Sequence, residues 1–142
     1  PKKIGELSTF SQALNSEALE VYKGIDDFMV VLEDEAAIAN NNPNFRLIKS
    51  MDSRGLIITA KGEEVDFVSR WYGPQTGINE DPATGSAHAL LATYWSKILN
   101  KSELNARQLS KRVGHLKCEV KDDLVEITGE AKLYLRGTLQ FN

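Results

Sequence analysis

Apolar residues recur at Ala87, Leu90, Leu91, Tyr94, Trp95 and Ile98, the spacing of one helix face. This pattern predicts the only long helix of the chain, over residues 86–99, with Ser86 at its N-cap. Shorter patterns surround it. Residues 28–32 are a continuous apolar run, which reads as a buried strand. Residues 56–60 and 65–72 are β-branched or aromatic and predict a hairpin or near-hairpin across Lys61-Gly62-Glu63-Glu64. Residues 8–15 have weak helical character, and 18–22 read as a short strand. Two short helices are predicted over 34–39 and 44–51, each opened by capping chemistry, with Pro43 at the second start. After the long helix, residues 108–113, 115–121, 124–128 and 131–135 predict a meander of short strands. The expected fold class is α+β, in one domain spanning residues 1–142.

Composition narrows the functional classes. A net charge of −3 leaves no electrostatic footprint for nucleic acid, and no segment pairs basic residues with stacking aromatics. Lys111-Arg112 and Lys2-Lys3 read as solvated charges. No apolar run approaches the ~20 residues that span a bilayer, and no signal peptide is visible, so a cytoplasmic protein without a membrane partner is expected. One cysteine and two histidines cannot build a disulfide or a structural zinc site.

Candidate chemistry concentrates in Gly77-Ile78-Asn79-Glu80-Asp81-Pro82-Ala83-Thr84-Gly85-Ser86-Ala87-His88. Two carboxylates precede a tight turn that opens into the long helix. A helix start offers unsatisfied N–H groups and the positive end of a dipole, which suits a carboxylate or phosphate. A carboxylate beside such a pocket can hold or move a proton. The same residues also make an ordinary turn and an ordinary cap, because Asp-Pro, Thr-Gly and a serine before an apolar helix are common punctuation.

The string Asp66-Phe67-Val68-Ser69-Arg70-Trp71-Tyr72-Gly73-Pro74, followed by the 77–88 stretch, resembles the phenazine-biosynthesis isomerase-like family, which shares the fold of diaminopimelate epimerase. The residues from Asp27 to Leu32, Pro43 to Leu47 and Arg54 to Thr59 also resemble it. So do Tyr94-Trp95-Ser96, Gln108-Leu109-Ser110-Lys111-Arg112 and Gly137-Thr138-Leu139. Val113 departs from the family's glycine in an R-G-G turn. The resemblance implies a curved, mostly antiparallel sheet wrapped around one central long helix, as one half of a two-half fold. It also implies that this chain is the second half, with the first half and its acid/base glutamate absent.

The implied activity is cofactor-independent proton transfer on a small, cyclic or amino-acid-like carboxylic acid. Asp81 and Ser86 match the family's catalytic positions, and Thr84, Gly85, Ser86 and Ala87 would hold the substrate through the turn. Glu80, Arg70 and His88 are further candidates. Arg70 also reads as a structural ion pair, and His88 could face either the cleft or the sheet. Thiol-based racemases on this fold place a cysteine where this chain has Asp81. The only thiol, Cys118, lies in an alternating, strand-like run, so thiol chemistry is not expected. The implied partners are the missing first half or a second copy forming a dimer. The alternative is a non-catalytic small-acid-binding or assembly domain that retains the fold.

Overall fold

The computed structural model describes residues 1–141. The chain runs β1 (Lys2–Ile4), α1 (Leu7–Leu14), β2 (Glu20–Lys23), β3 (Asp27–Val31), α2 (Glu35–Ala39), α3 (Phe45–Lys49), β4 (Gly55–Lys61) and β5 (Phe67–Gly73). A single 3-10 turn (Pro74–Thr76) then leads to β6 (Ile78–Glu80), α4 (Gly85–Leu99), β7 (Glu103–Gln108), β8 (Gly114–Lys121) and β9 (Leu124–Gly129). All nine strands join one mixed sheet in the order β1-β2-β3-β4-β5-β7-β8-β9, with β6 paired to β5 off that path. The pairs β3–β4 and β5–β7 are parallel. The other pairs are antiparallel, and β4–β5 is the expected hairpin, with Ile58 opposite Arg70.

Alternation along the strands divides the core in two. Val30, Ile58, Val68 and Tyr72 point to the face covered by Phe10 and Leu14 of α1, Ile38 of α2 and Ile48 of α3. Met29, Ile57, Phe67 and Trp71 point to the opposite face, where Leu91 and Trp95 of α4 meet them. Six consecutive buried residues in β4 are the consequence, because both of its faces are covered. Each large side chain so buried contributes roughly 1.5–3 kcal/mol. The longest helix thus covers one face while three short helices cover the other.

Several sequence expectations change. The strand expected over 108–113 is instead β7, which ends at Gln108. Leu109 still donates its N–H to Ser69 O, but Ser110 Oγ turns away to donate to Pro82 O at 2.8 Å and bonds Arg112 O at 2.9 Å, so residues 109–113 form a loop. Residues 131–135 form no strand. Among the described residues they pair with no strand, and Leu133 and Leu135 are 73% and 80% exposed. Cys118 does lie in a strand, β8, buried against the α4 side, and burial pushes its thiol up to about 11. Among the described residues, no helix is long and apolar enough to cross a membrane.

Candidate functional site

The Asp81 turn occupies the crossover from β5 to β7. After Gly73 the chain makes the 3-10 turn and reverses at Gly77, whose φ of 90° favours glycine. It returns as β6 against the end of β5, with Tyr72 opposite Glu80. Asp81 N–H then donates to Trp71 O at 3.2 Å. Residues 81–84 are therefore delivered to the end of the sheet where α4 begins.

Arg70 and Glu80 are engaged with each other. Arg70 Nε and Nη2 donate to Glu80 Oε1 and Oε2 at 2.7 and 3.0 Å, a forked pair. Arg70 Nη1 donates to Ile38 O and Asn41 O at 3.2 and 2.9 Å. The Glu80 carboxylate holds the Arg70 pKa above its ordinary value. This geometry fits the structural ion pair, and it fastens the strand that leads into Asp81.

Asp81 is half-buried, and its Oδ2 accepts the Thr84 hydroxyl at 2.6 Å. Thr84 has the extended backbone of an N-cap, so α4 begins at Gly85 and Ser86 is its second residue rather than its cap. The Thr84 hydroxyl turns to Asp81, so no side chain caps the helix. Thr84 N–H, expected as a ligand-facing amide, instead donates to Gln108 Oε1 at 2.8 Å. The N–H groups of Gly85 and Ser86 have no side-chain partner among the described residues. Ala87 is buried and offers a ligand only its backbone.

His88 faces the sheet. It is fully buried, its ring lies 5.9 Å from that of Phe67, and its Nδ1 meets Thr84 O at 2.9 Å. An Nδ1–H donating to that carbonyl fixes the tautomer, and burial holds the imidazole neutral by lowering its pKa. Its Nε2 has no hydrogen-bond partner among the described residues.

The supports of this turn carried little sequence signal. Gln108, 1% exposed at the end of β7, donates from Nε2 to Asp81 O at 2.7 Å and to Thr84 Oγ1 at 3.2 Å. Gly114, the first residue of β8, gives way to the turn, since a Cβ there would lie 2.9 Å from Ala83 Cβ. The alternation of Leu104 and Ala106 with polar neighbours in 103–107 marks β7, and its end places Gln108 under the turn.

Two depressions flank the turn. Exposed Ser86 lines one of about 640 Å³ together with Lys23, Asp27, Arg54 and Leu90. Pro82 lines the other, of about 340 Å³, together with Glu80, Ser110, Lys111 and Arg112. Arg54 grips Asp27 through Nε and Nη2 and sits over the Trp71 ring, 5.6 Å from its centroid. The arrangement supplies a carboxylate, a hydroxyl and open helix-start amides beside concave surface. Together these can bind a small anion and exchange a proton with it.

Known proteins share this framework. An uncharacterized isomerase of Pseudomonas aeruginosa is 48% identical over 128 residues, covering 90% of this chain and 49% of that protein. A second uncharacterized isomerase of that organism is 39% identical over the whole chain, covering 54% of its own length. Among solved structures, a phenazine biosynthesis PhzC/PhzF protein from Clostridium difficile superposes with a TM-score of 0.88 at 38% identity, over 99% of this chain and 54% of that one. A PhzF-family protein from Enterococcus faecalis gives 0.82 at 43% identity, over 94% and 54%. The chain thus spans about half the length of the relatives it matches. The family model for phenazine biosynthesis-like proteins (PhzC-PhzF) matches residues 3–137, and the chain belongs to that family.

Proposed function

We propose that this chain carries one wall of a cofactor-independent isomerase site and corresponds to the second half of its longer relatives. Asp81 exchanges a proton with a small carboxylic acid whose anionic group sits at the start of α4, against Gly85, Ser86 and the backbone of Ala87. The observation that carries this reading is the Asp81 carboxylate fixed by Thr84 beside a helix start that no side chain caps. Abstraction and return of one proton balance within the substrate, so the step requires no redox partner. The isomerase names of the Pseudomonas relatives support the reaction class. Ser86 adds a hydroxyl toward the acid, and the other half or a second copy supplies the facing wall and a second proton-handling group.

The isolated chain is expected to bind small carboxylates weakly, with millimolar affinity near −4 kcal/mol, because one wall leaves the ligand wet. In an NMR titration the amides of residues 84–88 should move first. Movement confined to Lys111 and Arg112 would place the anion elsewhere. Exchange of solvent deuterium into dihydro-hydroxyanthranilate-like acids should be negligible for the chain alone and should appear once a first half is joined to it. Asp81→Asn should then lower the rate by about 10²–10⁴. Full exchange by the isolated chain would refute the two-wall account.

A further inference from the structure

We propose that Gln108 is the positioning residue of the Asp81 turn, acting through Thr84 to occupy Oδ2 of Asp81 and leave Oδ1 for the substrate. The inference rests on Asp81 being the proton-exchanging group. Its basis is the polarity of one hydrogen-bond chain. Thr84 N–H can only donate, so the atom of Gln108 that faces it at 2.8 Å is Oε1. That choice fixes the other end of the amide as Nε2. Its two hydrogens point to Asp81 O at 2.7 Å and to Thr84 Oγ1 at 3.2 Å.

Thr84 Oγ1 receives a hydrogen from Gln108, so its own hydrogen is directed away, to Asp81 Oδ2 at 2.6 Å. The order Gln108 to Thr84 to Asp81 is therefore one-way. Oδ1 accepts no hydrogen bond from the described residues. Gln108 is itself 1% exposed at the end of a strand, so its amide is aimed by the sheet rather than by solvent. A buried amide with three bonds to one turn forms a rigid reference point, since any bond left unmade would strand a desolvated polar group. Burial alone would be met by an apolar side chain of similar length, whereas this position uses both ends of the amide.

The test uses this chain first. Gln108→Met removes the bonds at similar volume, and Gln108→Glu keeps the acceptor for Thr84 N–H but cannot donate to Thr84 Oγ1. Thr84→Val deletes the hydroxyl, and Thr84→Ser retains it. At pH 8, both Gln108 variants and Thr84→Val should move the Asp81 ¹³Cγ resonance in the same direction, while Thr84→Ser leaves it in place. Amide resonances of the β4 and β5 core should stay unchanged, reporting an intact fold. An Asp81 ¹³Cγ signal that ignores the Gln108 variants overturns the relay.

The consequence is read in a protein carrying both halves. Gln108→Met should lower kcat for deuterium exchange at least 10-fold with KM held within about threefold, and Thr84→Ser should keep most of the rate. Unchanged kcat in Gln108→Met, with Asp81→Asn inactive, overturns the positioning role and leaves the Asp81 reading standing. Exchange that survives Asp81→Asn overturns that reading, and the positioning role with it.

Discussion

His88 is a histidine whose sequence position beside the turn invites a chemical role and whose packing denies it solvent. Its folded pKa lies below the ordinary imidazole value of about 6.5 because burial penalises the charged ring. The unfolded chain therefore binds a proton near pH 6.5 that the folded chain does not. Stability is full above that pH and declines as pH falls through it toward the folded value. Chemical denaturation between pH 8 and pH 5 should show this loss, and His88→Gln should flatten it. At the same scale, Gly73 and Gly55 make room for the Trp71 indole. A Cβ at Gly73 would lie 2.0 Å from Trp71 Cη2, and one at Gly55 2.5 Å from Cζ2. Gly73→Ala should destabilise by about 1–3 kcal/mol through overpacking, measurable by urea unfolding. The Gly55 clearance is not legible in the sequence, because the Trp71 ring reaches it across the β4–β5 pair, whereas Gly73 follows Trp71 two residues on along the same strand. The site candidates are more legible, since Asp81, Thr84 and Ser86 lie close together in the chain.

Among elements, the short strand β6 shows how the turn is held. Among the described residues it pairs with β5 alone, and the Arg70–Glu80 fork binds the two strands side by side. Arg70→Ala would leave Glu80 and two backbone carbonyls without their donor in a half-buried setting, a loss of about 3 kcal/mol. Arg70→Lys keeps the charge but not the fork and should recover only part of it. Thermal unfolding of the two variants checks that order. Long-range pairing also explains what the element pattern missed. The helix over 86–99 was legible because its period extends over four turns. Its cap lies at Thr84, two residues before the expected Ser86, because serine and threonine are chemically equivalent caps and the choice depends on where the turn enters. The strand expected at 131–135 has the right composition, but a strand exists only beside a partner.

On the scale of the molecule, the two apolar layers and the α+β class follow from patterns readable in the chain, whereas the sheet order does not. Nothing local states that β5 adjoins β7 rather than its successor β6 alone. The described surface also carries a cluster of bare apolar side chains near the C-terminal end: Leu133, Tyr134, Leu135, Leu139 and Phe141 are each more than 70% exposed. Such a segment favours association. We expect the chain to form dimers at micromolar concentration, with the Asp81 turn of each copy facing a shared groove. Sedimentation should show removal of the chain from residue 131 onward weakening the dimer, while the unfolding midpoint moves by no more than about 1 °C because residues 131–141 are exposed and add little to the core. A chain that remains monomeric at about 100 μM, near −5.5 kcal/mol, contradicts this.

The parallel pairing of β5 with β7 has a consequence in time. Phe67 meets Ala106 and Ser69 meets Gln108 only after the 3-10 turn, β6 and α4 have been looped out between them. Three of the hydrogen bonds that hold Asp81 and Thr84 join them to Gln108, the last residue of β7. The turn therefore cannot reach its working shape by local folding, however strongly its own residues favour a bend. Closing a long loop before its contacts form is slow. During refolding, protection of the Thr84 amide should appear in the same kinetic phase as that of Leu109, whose N–H bonds Ser69 O. The interior amides of α4 should be protected earlier. In this molecule, the ability to bind would be acquired at the closing step of folding.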